Sequence, residues 1–305
     1  MEETHMLACA ACGNEKGGGG KVFFQVCSAC RLVKYCNDNC RESHRSSHEK
    51  DCKQRAAELR EYDEKLFSQP PPNEDCPICF LPLPIEAFKL DYKICCGKVL
   101  CDGCTHALAG NRCPFCRKQS AKTEAETLKR VNKRIEANDA EALITMGNFY
   151  RHGQFGLPSD RDKAMELWQK AAELGSAHAN FRIGFKYMCS DQSLFGWHWI
   201  RKNARHHYEI AAMKGHTEAR HELGRFESCP FECNMPRATK HWIIAAKAGY
   251  NGSMEEIKKL FLAGNGEVTK EEYAQTLREW YDACAEMKSD QRDEADNWRR
   301  QRYGH

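Results

Sequence analysis

Small apolar residues recur at fixed spacings in the second half of the chain. Three successive helical stretches each carry an alanine with a glycine five residues later, at Ala142 and Gly147, Ala179 and Gly184, and Ala219 and Gly224. A second helical stretch follows each of them, in which an alanine precedes another glycine by eleven residues, as at Ala164 and Gly175, Ala204 and Gly215, and Ala238 and Gly249. Only the connection between the two stretches varies in length. This pattern predicts a solenoid of helix pairs.

The glycines inside the first helices also predict how each pair packs. Glycine inside a helix costs about 1 kcal/mol relative to alanine, so its return at one position indicates that the two helices of a pair cross closely. A fourth unit has Ser253 in place of the alanine and Lys258 in place of the glycine. Its second helix opens with Thr269 and Glu272, which form a capping-box sequence. We therefore expect this unit to close the solenoid.

The region before the repeats is organised differently. Residues 53–68 have helix-forming residues with one broad apolar face, and Pro70, Pro71 and Pro72 end that pattern. Three prolines favour a stiff, extended spacer. The sequence thus predicts a helix and a semi-rigid arm between two cysteine-rich segments.

Composition narrows the class of protein. The chain has 305 residues, which favours two or three domains, and fifteen of its 19 cysteines precede residue 117. The mean hydropathy is −0.72, and no apolar run approaches the roughly 20 residues that cross a bilayer. The first residues are acidic and do not resemble a signal peptide. We expect a cytoplasmic or nuclear protein without a membrane partner, whose cysteines bind metal instead of forming disulfides.

The charge distribution argues against nucleic-acid binding. The net charge is +3, but residues 1–120 hold 17 Lys and Arg against 16 Asp and Glu. Fifteen metal-bound thiolates and four zinc ions would bring that half to about −6. Such a surface binds phosphates poorly, so no nucleic-acid partner is expected.

The segment Cys76 to Cys116, here the second finger, carries eight cysteines. Three Cys-x-x-Cys knuckles and one adjacent pair make up this set: Cys76 and Cys79, Cys95 and Cys96, Cys101 and Cys104, and Cys113 and Cys116. Eight soft ligands suit two closed tetrahedral zinc sites. The segment resembles a RING finger.

The resemblance implies two interleaved zinc sites. One would use Cys76, Cys79, Cys101 and Cys104, and the other Cys95, Cys96, Cys113 and Cys116. Many RING fingers have a histidine where this chain has Lys98, whose ammonium group has no lone pair to give to zinc. Cys95 then fills that place, as in all-cysteine RING fingers, with His106 as the alternative.

The segment Cys9 to Cys52, here the first finger, offers seven cysteines and one histidine. Its spacing is Cys9-x-x-Cys12, Cys27-x-x-Cys30, Cys36-x-x-x-Cys40 and His48-x-x-x-Cys52. This order resembles a MYND zinc finger. The resemblance implies one zinc on Cys9, Cys12, Cys36 and Cys40 and another on Cys27, Cys30, His48 and Cys52, and hence four zinc ions per chain. MYND fingers often carry glutamine and tryptophan for binding proline-rich peptides, where this chain has Arg41 and Arg45.

The repeats also resemble a known class. The pattern Ala-x-x-x-Met-Gly-x-x-Tyr, followed by Lys-Ala-x-x-Leu-Trp-x-x-Ala-Ala-x-x-Gly, is similar to the Sel-like repeats related to tetratricopeptide repeats and covers about residues 140–285. The fold class expected is multidomain, with two small zinc-stabilised α+β cross-brace fingers followed by an all-α helix-pair solenoid. The expected segments are the MYND-type finger (1–54), the helix and proline linker (55–73), the RING-type finger (74–119), the repeats (120–288) and a polar C-terminal tail (289–305).

The sequence shows no phosphate-binding loop, Gly-x-Ser-x-Gly elbow or His-Glu-x-x-His motif. The RING resemblance implies instead a ubiquitin-protein ligase, which binds a ubiquitin-conjugating enzyme and positions its loaded ubiquitin for attack. Carried over by position, Ile78, Leu108 and Pro114 would dock the conjugating enzyme, and Arg117 would be the "linchpin" that contacts both enzyme and ubiquitin. The repeats would recruit a protein substrate.

A second hypothesis is a non-catalytic scaffold, in which the fingers and the solenoid only bind proteins. Arg117 favours the ligase. Lys98 and the adjacent Cys95 and Cys96 favour the scaffold.

Overall fold

A computed structural model describes residues 8–13, 25–30, 32–108, 110–189, 197–229 and 234–303. The chain forms two compact units, Met1–Ser68 and Gln69–His305. Among the described residues, no helix is both long and apolar enough to span a membrane.

The first unit contains the first finger. Strands β1 (Gln25–Val26) and β2 (Lys34–Tyr35) pair antiparallel, and helices α1 (Asp38–Ser43) and α2 (Arg45–Leu66) follow. The α2 helix begins at Arg45, well before the helix expected over 53–68. Two positions four residues apart on α2 lie on one face. His48 and Cys52 are such a pair, so α2 presents both side chains together.

The second unit opens with the second finger. A 3₁₀ turn (Ala87–Lys89) leads into β3 (Leu90–Lys93), which pairs antiparallel with β4 (Lys98–Cys101), and α3 (Asp102–Ala107) follows at once. The finger has a small apolar core in which Leu83 and Leu100 pack with cysteine side chains.

A solenoid of helices follows the second finger. Its helices are α4 (Glu124–Glu136), α5 (Ala140–His152), α6 (Arg161–Glu173), α7 (Ala177–Met188), α8 (Trp197–Met213), α9 (Thr217–Ser228), α10 (Met235–Lys247), α11 (Asn251–Ala263) and α12 (Lys270–Glu286). Helices α5 and α6, α7 and α8, and α9 and α10 pack as pairs. The expected capping box at Thr269 and Glu272 opens α12. The prediction of a cysteine-rich region followed by a helical repeat solenoid is confirmed.

The close crossing within each pair is also confirmed. A Cβ atom placed on Gly147 would lie 2.5 Å from Nε1 of Trp168, and one on Gly224 would lie 2.3 Å from Nε1 of Trp242. Gly184 meets Tyr208 in the same way, at 2.8 Å. Because an aromatic ring of the second helix lies against the backbone of the first, alanine would not fit at these positions.

The second finger and the solenoid share a core within the second unit. Tyr92 and Ile94 pack against the buried residues of the first helix pair. The Tyr92 hydroxyl donates to Oδ2 of Asp139, the N-cap of α5, at 2.8 Å. Contacts therefore cross the boundary expected between residues 119 and 120.

The C-terminal segment 289–305 was expected to be a polar tail. It contains a further helix, α13 (Asp290–Tyr303), which packs against α3 of the second finger. Arg292 and Ala295 of this helix are buried. This docking is hard to predict from the sequence, because the helix is mostly polar and has few apolar residues to form a stripe.

Candidate metal centres

The structure brings the sixteen expected side chains together in four groups. Within each group the candidate ligand atoms all lie within 4.8 Å of one another. Group one is Cys9, Cys12, Cys36 and Cys40; group two is Cys27, Cys30, His48 and Cys52; group three is Cys76, Cys79, Cys101 and Cys104; group four is Cys95, Cys96, Cys113 and Cys116.

The first finger places groups one and two on its turns and helices. In group one, the Sγ atoms of Cys36 and Cys40 are 3.4 Å apart. The Asn37 side chain caps α1 by accepting from the Cys40 N–H at 2.8 Å, which fixes the start of the helix that carries Cys40. In group two, Nε2 of His48 lies 3.2 Å from Sγ of Cys30. This ring nitrogen is thus the one available to a metal ion.

Groups three and four lie in the second finger. The Sγ atoms of Cys79 and Cys101 are 3.8 Å apart in group three. In group four, Cys96 lies 3.9 Å from Cys113 and Cys95 lies 3.4 Å from Cys116, measured between Sγ atoms.

The two polar residues considered beside group four lie elsewhere. His106 packs against Trp298, with ring centroids 5.5 Å apart. The ammonium of Lys98 lies 6.0 Å from the centre of the Phe115 ring. The structure therefore groups Cys95, and not His106, with the other three cysteines.

Three knuckles share one backbone turn. The residue after the second cysteine has a positive φ, namely +67° at Gly13, 56° at Phe80 and 62° at Arg117. Each of these residues donates its N–H, at 2.9 Å, to the carbonyl oxygen of the first cysteine of its knuckle. This backbone costs a residue other than glycine about 1–2 kcal/mol. The same turn directs both thiols of a knuckle toward one point, where a bound metal ion would offset that cost.

Backbone amides of these turns also favour the thiolate form. Burial opposes ionisation of Cys9, but N–H groups of Cys12, Cys36 and Ala11 outweigh it and lower the pKa of Cys9 to about 6. The same balance of burial against donated N–H groups lowers the pKa of Cys27 to about 6 and the pKa of Cys76 and of Cys113 to about 7.

Two other thiols of the first finger, Cys40 and Cys52, resist ionisation. The neighbouring Cys36 thiol and burial raise the pKa of Cys40 to about 12, and burial with the neighbouring Cys27 thiol does the same for Cys52. Four thiolates in such a small space repel one another unless a cation lies among them. Tetrahedral zinc with Zn–S bonds of about 2.3 Å would set its sulfur atoms about 3.8 Å apart. The donor types and the spacings of the four groups fit zinc.

One residue that supports group two has no distinct sequence signal. His44 is half-buried, its Nδ1 lies 3.2 Å from the Tyr35 hydroxyl, and its ring stacks on His48 with centroids 5.6 Å apart. Tyr35 is itself buried. These contacts hold the plane of the His48 ring, as partners of metal-bound histidines commonly do.

The expected docking residues fall in three places. Leu108 and Pro114 line one cavity of about 450 Å³ between the second finger and α4. Arg117 is exposed at the left-handed position after Cys116. Ile78 is half-buried and packs in the apolar core of the finger. Phe80, directly after the Cys76 and Cys79 knuckle, is 76% exposed and is a further apolar side chain on the surface of the finger.

Comparison with known families identifies two parts of the chain. The MYND finger model matches residues 9–52, and the Sel1 repeat model matches residues 140–176 and 200–216. The chain is thus a zinc-binding protein that carries a MYND finger and Sel1 repeats, and such repeats serve protein–protein interaction.

Individual relatives are distant, and the matches cover only a small part of each relative's length. The E3 ubiquitin-protein ligase GW2 of Oryza sativa subsp. indica is 27% identical over 124 residues, which is 38% of this chain and 28% of GW2. Chitin synthase regulatory factor 4 of Schizosaccharomyces pombe is 30% identical over 90 residues, which is 30% of this chain and 13% of that protein. The chain therefore spans well under half the length of these relatives.

Among solved structures, a Sel1 repeat protein from Oxalobacter formigenes is 22% identical with a TM-score of 0.46, over 61% of this chain and 71% of that one. The protective antigen c5321 of uropathogenic Escherichia coli, described as having an SLR fold, is 18% identical with a TM-score of 0.41, over 65% of this chain and 43% of that one.

Proposed function

We propose that the second finger is a RING-type finger and that the chain is a zinc-binding RING-type ubiquitin-protein ligase. In this proposal each of the four groups holds one zinc ion. The second finger docks a ubiquitin-conjugating enzyme, and the repeats recruit a protein substrate. Zinc, when bound, holds the knuckles in place and takes no part in the transfer chemistry.

The observation that carries the proposal is the surface beside group four. Leu108 is 45% exposed and lines the same cavity as Pro114. Arg117 is exposed on the knuckle that also carries Pro114. Apolar side chains beside an exposed guanidinium suit a partner that presents both an apolar loop and carbonyl groups. The similarity of part of the chain to the ligase GW2 supports the same proposal.

The proposed reaction needs no nucleophile from this chain. The conjugating enzyme brings ubiquitin as a thioester, and the attacking amine comes from the substrate. Holding reactants in a productive orientation is itself a large source of rate enhancement. Arg117 contributes if its guanidinium donates hydrogen bonds to both bound proteins, because donors in a fixed planar arrangement restrict how the two can move.

One observation favours a scaffold as the second candidate function. Ile78 packs within the core of the finger, while Leu108 and Pro114 lie on the cavity. If Ile78 serves only the core, the docking surface is smaller than in the ligase proposal. The fingers and the solenoid would then bind proteins without transferring ubiquitin.

A single-turnover assay distinguishes the two functions. Zinc-loaded full-length protein is mixed with ubiquitin-charged conjugating enzymes, and discharge onto free lysine is followed beside a binding measurement. We expect Arg117→Ala to slow discharge about tenfold or more with little loss of binding, since a hydrogen bond to a charged group contributes about 1.5–3 kcal/mol. Leu108→Ala should weaken binding itself.

Lys122→Ala serves as the control, because Lys122 is an exposed cation close in sequence to the second finger. It should behave as wild type in both measurements. If wild type discharges no conjugating enzyme of a broad panel faster than Arg117→Ala does, the ligase proposal fails and the scaffold replaces it.

A further inference from the structure

The α13 helix brings a buried arginine to group three. Arg292 is only 6% exposed. Its Nη2 lies 3.6 Å from Sγ of Cys79 and 3.5 Å from the carbonyl oxygen of Leu81. Its Nη1 donates to the carbonyl oxygen of Pro82 at 2.8 Å and to that of Met287 at 2.6 Å. One guanidinium thus joins a candidate ligand, the loop after that ligand and the end of α12.

The backbone of α3 is shaped for this approach. A Cβ atom on Gly103 would lie 2.7 Å from Cγ of Arg292 and 2.8 Å from its backbone nitrogen. Gly103 lies between the group-three ligands Cys101 and Cys104. Any larger residue at position 103 would push α13 away, and the guanidinium would lose its reach to Cys79.

Three further contacts hold α13 along the same face of the finger. Arg299 forms an ion pair with Asp102 at the start of α3. Lys89 and Asp296 form a second ion pair at 3.0 Å. The Trp298 ring packs on His106. These contacts fix the helix in register, so that Arg292 meets the knuckle and not open solvent.

The charge of group three gives this contact a chemical role. Four thiolates around one Zn²⁺ leave the site with a net charge of about −2. A buried guanidinium beside such a site forms a charge-assisted N–H···S hydrogen bond and reduces the electron density on the sulfur. It also fixes the loop of Leu81 and Pro82, which follows Cys79 in the chain.

We propose that Arg292 is a positioning residue for zinc in group three, where it orients Cys79 and protects its thiolate from reaction. Partners of this kind, outside the ligand set, typically change metal affinity or activity 10- to 100-fold when removed. The proposal rests on zinc binding by group three and does not depend on ubiquitin transfer.

The test uses the zinc-loaded full-length chain and iodoacetamide, with the alkylation rate of each cysteine followed by mass spectrometry. We expect Arg292→Gln to speed alkylation of Cys79 about 10-fold while Cys113 of group four reacts at its wild-type rate. After cadmium replaces zinc, the ¹¹³Cd resonance of group three should shift and that of group four should not.

Two variants separate the sulfur contact from docking of the helix. Arg299→Gln removes the ion pair with Asp102 but leaves the ion pair between Lys89 and Asp296 and the packing of Trp298 on His106 to hold the helix. It should therefore leave Cys79 alkylation and the ¹¹³Cd resonance close to wild type. Arg292→Lys keeps the charge and should restore part of the protection. If Arg292→Gln does not fold, Arg292→Lys is compared with Arg299→Lys, and only Arg292→Lys should show faster Cys79 alkylation.

The proposal is overturned if iodoacetamide alkylates Cys79 at the same rate in the Arg292 and the Arg299 variants. A zinc count showing that wild type holds no metal in group three would reject the metal assignment itself. A missing metal would be seen in wild type before any variant is compared, so it can be told apart from failure of the proposed role of Arg292.

Discussion

At the scale of residues, the adjacent pair Cys95 and Cys96 is the unusual feature of the second finger. The turn between β3 and β4 contains both, and the N–H groups of Cys96 and Gly97 donate to the Lys93 carbonyl oxygen at 3.1 and 2.8 Å. Gly97 has a φ of +72°, a conformation that glycine adopts without steric cost. The tight turn lets two consecutive thiols reach one group.

This geometry predicts the metal content of two variants. Cys95→Ser should reduce zinc from four ions per chain to three, because serine is a poor ligand for zinc compared with a thiolate. His106→Ala should retain all four, since His106 lies against Trp298. Elemental analysis of purified protein gives the count. If His106→Ala loses one zinc ion and Cys95→Ser retains all four, His106 is the ligand and Cys95 is not.

At the scale of elements, the first three helix pairs of the solenoid each depend on contact between a glycine and an aromatic ring. Nε1 of Trp242 also donates to the His221 carbonyl oxygen at 3.3 Å, which fixes the ring against α9. The ring cannot move away without losing this hydrogen bond. The positions of the glycines therefore set the distance between the paired helices.

Gly224→Ala should test this contact. Alanine gains about 1 kcal/mol of helix propensity, but its methyl group would meet the Trp242 ring well inside contact distance. Overpacking of this kind costs about 1–3 kcal/mol or more, so we expect a net loss of stability. Urea unfolding followed by helical ellipticity measures it. The double variant Gly224→Ala with Trp242→Phe should lose less unfolding free energy than the sum of the losses in the two single variants. If the two losses are fully additive, the alanine methyl group does not contact the Trp242 ring.

A buried histidine predicts how the solenoid responds to pH. Burial of His241 on α10, together with the charges of Arg220, Arg237 and Arg205, holds its pKa well below the usual 6.5. At pH 5.5 the unfolded chain binds a proton at this position and the folded chain does not. The contribution of this group to stability is therefore fully present well above pH 6.5 and falls as the pH drops through that value, by roughly 1 kcal/mol at pH 5.5.

The neutral variant His241→Gln isolates this contribution. Urea unfolding of wild type and variant is compared at pH 7.5 and 5.5, so that other groups, including the metal ligands, cancel between the two proteins. Wild type should lose roughly 1 kcal/mol more than the variant over this range. Equal losses would mean that His241 is protonated in the folded state.

At the scale of the whole molecule, the second finger, the solenoid and α13 form one compact unit, Gln69–His305. The first helix pair buries part of Tyr92 and Ile94, and α13 returns from the end of the solenoid to α3. Among the described residues, neither finger has an apolar core of the size that supports independent folding. For the second finger, the solenoid supplies part of the missing apolar burial by packing against Tyr92 and Ile94.

This arrangement predicts that the repeats alone are less stable than the unit. A fragment of residues 120–288 should remain helical, because each repeat buries its face on its neighbours. It should melt about 5–10 °C below a zinc-loaded fragment of residues 69–305, since it lacks roughly 2–3 kcal/mol of burial by Tyr92 and Ile94. Circular dichroism melts of both fragments measure the difference. Equal melting temperatures would show that the repeats from residue 120 onward are a domain whose stability does not depend on the second finger.

The sequence by itself determined the features that depend on neighbours along the chain. Knuckle turns need only four or five consecutive residues, so the spacing of Cys113 and Cys116 already indicates a metal ligand pair. Repeats pack only on adjacent repeats, so glycine and alanine at fixed intervals were enough to predict the solenoid.

Tertiary structure decided the contacts between distant segments. Arg292 reaches Cys79 across 213 positions, and Tyr92 reaches Asp139 across 47. A polar helix such as α13 docks through ion pairs and hydrogen bonds to carbonyl groups, and these leave no period in the sequence. The chain has many arginines, and only folding decides which of them contacts a thiolate. The surface of the second finger that Arg292 contacts does not exist before the chain folds back on it.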